Sequence, residues 1–390
     1  MTKPEPVLSP ARRAAIAPFI AMDVKREASL MEQAGGRIVH MEVGEPCAPP
    51  PRLAREAAIA ALGGQPVGYT DALGLFTLRE RIARHCHETY GVEVDPERVA
   101  VTTGSSGAFI MAFLALFDAG ARVAIQNPGY PAYRNIFGAL GVEAVDLPVD
   151  SSNHFAVTAA AVEKADAAQK LDGLLLMSPA NPTGVMQSDE SLREIADVCA
   201  RRDIKFISDE IYHGLTYERP AQTALAFSDQ AVIVNSFSKY YCMTGWRVGW
   251  LIVPPELTRI VERLQQSLAI SAPTLSQIAA QAAFDASEEL EAVKAGYRRN
   301  RDILLDGLPG FGLSELAPAD GAFYLYCDIS KFTDDSTGFC HELLHRAGVA
   351  ATPGLDFDPH RGRYALRLSY AGAEADMVEA LRRLKDFLRR

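Results

Sequence analysis

The chain has 390 residues, 48 % of them hydrophobic and 23 % charged, with a formal net charge of −10. These proportions exclude a collagen-like, low-complexity or small disulfide-stapled protein, and the length suffices for two domains. The acidic balance excludes the basic stripe a nucleic-acid binder needs to displace phosphate counterions.

Along the chain, MTKPEPVLSPARRAAIAPFIAM lacks the basic-then-apolar layout of an export signal. No apolar run reaches the ~18 residues of a membrane span. Six cysteines (47, 86, 199, 242, 327, 340) are scattered, with no C-x-x-C and no clustered histidine. Neither a disulfide framework nor a metal site is expected, and a cytoplasmic location fits. Leu75–Tyr90 reads as an amphipathic helix entered through GYTDALG. From residue 99, short runs of Val, Ile and Leu read as strands buried on both faces: Val99–Thr103, Arg122–Gln126, Glu143–Leu147, Gly173–Met177, Lys205–Ser208, Val232–Asn235 and Val248–Val253. Helical stretches separate most of them, at Ala108–Phe117, Tyr133–Leu140 and Asp189–Arg202. This alternation predicts an α/β fold, a mostly parallel seven-stranded sheet flanked by helices, with ligands gathered where strands end. Pro273–Leu308 reads as one long helix. From Gly310 short strands (Gly321–Asp328, Tyr364–Ser369) and a final basic helix (Asp376–Arg390) suggest a smaller α+β domain. The expected division is a large domain over 46–285, a small one over 286–390, and a segment 1–45 packing with the latter.

Six stretches carry chemistry. The richest, Ser236-Phe-Ser238-Lys239 followed by Gly245-Trp-Arg247-Val-Gly249, leaves a buried strand. Desolvation and the nearby Arg247 would lower the Lys239 pKa, giving an amine able to attack a carbonyl. The hydroxyls and the guanidinium fork suit a phosphate. With only nine lysines against thirty arginines, a lysine in this setting stands out. Ser178-Pro-Ala-Asn181-Pro-Thr-Gly184 places an amide on a defined loop, although N-P-x-G alone is a turn signal. Asp209, in Asp209-Glu-Ile-Tyr212, ends a strand, where a buried carboxylate needs a partner; a helix cap is the competing reading. Thr102-Thr103-Gly104-Ser105-Ser106-Gly107 joins a strand to an apolar helix, forming either an anion site or a capped start. It matches no nucleotide-binding loop. Tyr130, in Asn127-Pro-Gly-Tyr130, can stack on a flat ligand or close the core. Arg367 alternates with Leu366 and Leu368, so it points away from the core face, toward a carboxylate or toward solvent.

Together these stretches resemble the fold-type I pyridoxal-phosphate enzymes, specifically the class I and II aminotransferases, in the family's order from about Val43 to Ser369. The resemblance implies that Lys239 forms an internal aldimine with pyridoxal 5′-phosphate and shuttles the substrate proton. It implies that Asp209 keeps the ring nitrogen protonated, that Tyr212 and Asn181 contact the phenolic oxygen, and that Tyr130 stacks on the ring. Gly104, Ser105, Ser106, Ser236, Ser238 and Arg247 would hold the phosphate, with Tyr69 reaching it from a neighbouring subunit of a homodimer. Arg367, with Asn181 and the backbone at Gly44, would grip the substrate carboxylate. Transfer from an L-amino acid to a 2-oxoacid by a ping-pong route follows, with a β-eliminating lyase on the same fold as the alternative. Cys47 stands where the family often has Asp, and no motif supplies a second arginine for a side-chain carboxylate. The chain before the motifs is too short for the DNA-binding domain of an aminotransferase-like regulator. The retained Lys239, Asp209 and Arg367 argue against a pseudoenzyme.

Overall fold

The computed structural model describes residues 10–64 and 66–389; residues 1–9 and Arg390, the expected end of the last helix, lie outside them. The strands in chain order are β1 (Val39–His40), β2 (Val99–Thr102), β3 (Arg122–Asn127), β4 (Glu143–Pro148), β5 (Gly173–Met177), β6 (Lys205–Asp209), β7 (Val232–Ser236), β8 (Gly249–Ile252), β9 (Tyr324–Asp328), β10 (Val349–Ala350), β11 (Thr352–Pro353) and β12 (Ala365–Ser369). Strands β2 to β8 form one seven-stranded sheet in the order β2-β8-β7-β6-β5-β3-β4. All run parallel except β8, which is antiparallel to both its neighbours. These are the seven strands expected from the apolar runs, differing only at their ends.

The period of two explains why those runs are apolar throughout. In β5, Leu174 and Leu176 enter the core on one face of the sheet, while Leu175 and Met177 enter the core on the other. Among the described residues twelve α-helices accompany the sheets: α1 (Ile20–Gln33), α2 (Arg52–Leu62), α3 (Phe76–Tyr90), α4 (Gly104–Leu116), α5 (Pro131–Leu140), α6 (Ala159–Ala168), α7 (Asp189–Arg201), α8 (Pro255–Leu268), α9 (Thr274–Ala283), α10 (Ser287–Gly307), α11 (Ser336–Glu342) and α12 (Glu374–Leu388). Helix α7 shows how local chemistry sets an element. The Ser188 hydroxyl accepts from the Ser191 N–H at 3.1 Å, Asp189 and Glu190 complement the helix dipole, and Leu192, Ile195, Ala196 and Cys199 are buried. None of the described helices is long and apolar enough to cross a membrane.

One expectation is corrected. The long helix over 273–308 is two helices, α9 and α10, separated at Phe284–Ala286. No Gly or Pro marks the break. Phe284 instead turns inward among Phe237, Tyr241 and Trp250, with the Arg81 guanidinium 4.5 Å from its ring centre. The strand expected from Gly321 begins only at Tyr324, because Ala322 sits at φ 57°, outside strand geometry. Toward the C-terminus, β12 pairs antiparallel with β11 and β9. Strand β1 pairs with β10, so an early segment of the chain is joined to a late one.

Candidate active site

Because β2, β3, β5, β6 and β7 are parallel, their C-terminal ends share one edge of the sheet. A cavity of about 500 Å³ opens there, and the β12 side of the molecule closes it with Arg367.

At the end of β6, Asp209 is 1 % exposed. It accepts hydrogen bonds from the Tyr133 hydroxyl and, at 3.1 Å, from the Ile211 N–H. Burial pushes its pKa up to about 7, against the pull of those hydrogen bonds and of Lys239. A carboxylate so placed gains most from a cationic N–H partner.

Lys239 follows β7, and its ammonium donates to the Gly44 carbonyl at 2.6 Å. The half-buried side chain lines the cavity. Burial first, then Arg367 and Arg247, bring its pKa down to about 8 against the opposing pull of Glu45 and Asp209. The amine therefore reaches its neutral, nucleophilic form near physiological pH.

The start of α4 has no side-chain cap; the Thr102 hydroxyl donates to the Gly104 carbonyl at 2.9 Å, leaving the first amides open. Above them lies Arg247, so close that a Cβ on Gly104, at φ +71°, would come 2.5 Å from Nη2. A guanidinium at the positive end of a helix is unfavourable unless an anion sits between them. Ser105, Ser106 and Ser238 line the same corner. Ser236 stands behind Ser238: its Oγ accepts from the Ser238 N–H at 3.1 Å and lies 3.1 Å from the Val248 carbonyl.

Arg367 is buried in β12, its guanidinium carbon 4.4 Å from the ring centre of Tyr324 and 4.6 Å from that of Phe357. Its Nη1 donates to Asn181 Oδ1 at 2.9 Å, and Nη2 donates to the Glu42 carbonyl and to Thr352. The buried Nε has no partner. The Tyr324 and Tyr212 hydroxyls are 2.7 Å apart.

Of the residues expected from sequence, Gly44, Ser105, Ser106, Tyr130, Asn181, Asp209, Tyr212, Ser238, Lys239, Arg247 and Arg367 line this one cavity. Gly104 lies beneath Arg247, and Ser236 stands behind Ser238. Tyr69 is not brought in; it is 82 % exposed and away from the cavity. Sequence reading missed Tyr324 and Phe357, which carry no motif, and the whole doorway formed by α1. Phe19, Met22 and Lys25 line the mouth. Lys25 pairs with Glu45 at 3.3 Å, and Glu45 also accepts from Thr244 at 2.9 Å. The Asp356 carboxylate accepts from the Ile20 and Ala21 N–H groups at 2.9 and 3.2 Å, seating the first turn of α1 at the cavity.

The model for class I and II aminotransferases matches residues 37–384. The chain belongs to that family. The valine–pyruvate aminotransferase of Mycobacterium tuberculosis is 48 % identical over 97 % of this chain and 98 % of its own length. A crystal structure of an aminotransferase from that organism superposes with a TM-score of 0.96 at 48 % identity, covering 98 % of this chain and 99 % of that one. The aspartate aminotransferase of Thermus thermophilus, solved with maleate, gives 0.92 at 30 % identity, covering 97 % and 99 %. This aminotransferase is thus an enzyme of the transferase class that moves an amino group between an amino acid and a 2-oxoacid. Its family works with pyridoxal phosphate.

Proposed function

We propose that this aminotransferase holds pyridoxal phosphate at Lys239 and takes the amino group of an uncharged aliphatic L-amino acid, passing it to a small 2-oxoacid by a ping-pong route. The donor set fits the cofactor. The uncapped start of α4 beneath Arg247 is a seat for a phosphate, and buried Asp209 needs the cation that a protonated ring nitrogen provides. When bound, the cofactor supplies an electron sink for charge developing at the substrate Cα.

In this reading Asp209 accepts the ring N–H, and Tyr212 donates to the phenolic oxygen, joined by the Asn181 amide left free by Arg367. Tyr130 covers the ring face. Gly104, Ser105, Ser106, Ser236, Ser238 and Arg247 fix the phosphate directly or through one another. Arg367 binds the α-carboxylate beside Gly44, and its unpartnered Nε supports that role. Lys239 then moves the Cα proton as general base and acid. The exposed Tyr69 supports a homodimer in which it reaches the partner's phosphate seat. The large domain over 46–285 would hold the cofactor, with the described part of segment 1–45 packing with the small domain over 286–390.

The observation that carries the substrate class is the mouth of the cavity. Phe19 and Met22 make it apolar, and its one lysine already pairs with Glu45 at 3.3 Å. A second carboxylate would find no free cation there among the described residues. The valine–pyruvate activity of the Mycobacterium tuberculosis relative agrees.

The test is a panel of donors with purified holoenzyme and pyruvate or 2-oxoglutarate. Valine is expected to exceed aspartate by about tenfold or more in kcat/KM, the scale of leaving a carboxylate unpaired. Aspartate as the better donor would overturn the assignment. Ammonia release without consumption of a second oxoacid would establish the lyase instead.

A further inference from the structure

Among the described residues, one group brings three metal-ligating side chains together, outside the cavity. Glu27 comes from the middle of α1 and His341 from α11. His345 comes from the π-helical turn Leu343–Ala347 that continues α11. Such π-helical turns are rare and recur at functional sites.

Glu27 Oε1 lies 2.7 Å from His345 Nε2 and 3.6 Å from His341 Nε2. One carboxylate oxygen therefore faces both rings, whose centres are 4.3 Å apart. The three donor atoms lie within 4.8 Å of one another. Nitrogen and oxygen ligands bound tetrahedrally at about 2.1 Å stand roughly 3.4 Å apart, so small side-chain adjustments suffice. Two imidazoles and a carboxylate leave a fourth position for water, a set suited to zinc and its neighbours and ill suited to calcium or magnesium.

We propose that Glu27, His341 and His345 form a divalent transition-metal site, of zinc type, that ties α1 to α11. The proposed aminotransfer uses none of the three. The consequence reaches the cavity through α1, because the same helix carries Phe19 at its N-cap and Met22 and Lys25 at the mouth. A cation bound on the outer side would hold the doorway helix against the C-terminal part of the chain.

The test uses the pyridoxal-phosphate holoenzyme freed of excess cofactor, titrated with Zn²⁺ by calorimetry and with Co²⁺ as an absorbing probe. The comparison is with His341→Ala, His345→Ala and Glu27→Gln. The histidines are 61 % and 40 % exposed, so these variants should fold and keep their basal aminotransferase activity without added metal. The expected result is one equivalent of tetrahedral Co²⁺, bound about tenfold or more weakly in each histidine variant. Saturating Zn²⁺ should also slow amide exchange across residues 20–33 in the parent and not in the double histidine variant. Binding that is absent, or that persists in the double variant, would overturn the site. Unchanged exchange in α1 on saturation would overturn the tie. A simple His–Glu ion pair gives the first of these negative results.

Discussion

The guanidinium of Arg367 lies 4.4 Å from the ring centre of Tyr324, and the hydroxyl of that same ring is 2.7 Å from the hydroxyl of Tyr212. The group proposed to grip the substrate carboxylate and a group proposed to touch the cofactor thus share one intermediary. Arg367→Ala removes two charge-assisted hydrogen bonds to substrate and leaves Asn181 without its partner. We expect a loss on the order of 3 kcal/mol, about a hundredfold in kcat/KM, chiefly through KM. The bound-cofactor absorption should persist. Steady-state kinetics with a visible spectrum of the same sample checks both.

Tyr324→Phe keeps the ring under Arg367 and deletes only the contact to Tyr212. The buried Tyr212 hydroxyl would lose its partner at a cost of about 1–3 kcal/mol. The expected outcome is a lower kcat with KM nearly unchanged, the reverse of the Arg367 variant. Equal effects on both constants would show that Tyr324 serves mainly to seat the arginine.

Gly104→Ala tests the phosphate seat. Its φ of +71° disfavours any side chain by about 1–2 kcal/mol, and the new Cβ would press on Arg247. Cofactor affinity should fall by about tenfold, measured by equilibrium dialysis. Inorganic phosphate should raise the Tm of the cofactor-free parent more than that of the variant.

Lys239 offers a pH test. Its amine is held near 8, against 10.5 for a free lysine, first by burial and then by Arg367. Between these values the folded protein binds fewer protons than the unfolded chain, so stability rises with pH through that window. As pH falls through about 8 that contribution is lost. Lys239→Met should remove this slope from the cofactor-free protein, as followed by denaturant unfolding at several pH values. The variant should also lose the visible absorption of lysine-bound cofactor and its detectable turnover.

Asp209→Asn keeps the shape and discards the charge. Without a carboxylate to hold a ring proton, kcat should fall by about a hundredfold or more, the usual scale for a proton-handling group. Cofactor should still bind through the phosphate seat. A variant with parental kcat would refute the role.

Legibility differed by element for physical reasons. The sheet was readable because a strand buried on both faces needs an unbroken apolar run, and β5, Gly173–Met177, is such a run. Arg367 was readable because it interrupts leucines with a period of two. The break between α9 and α10 was not, since Phe284 bends the chain through contacts to distant aromatics and not through Gly or Pro. Strands β1, β10 and β11 are two residues each, below any periodic signal. Tyr324, Phe357 and the α1 doorway reach the cavity only through tertiary packing. His341 and His345 stand at an i,i+4 spacing that does not read as a metal cluster by itself, because the third member, Glu27, is 318 residues away from His345.

The contact from Lys239 to the Gly44 carbonyl spans 195 residues, and that from Arg367 to the Glu42 carbonyl spans 325. Such a site has no local precursor: it exists only once both ends of the chain have met. A cofactor that recognises it binds the finished protein and ignores partly folded forms, so by mass action it enriches chains that have completed folding. Supply of the vitamin-derived cofactor would then govern the amount of native protein as well as its activity.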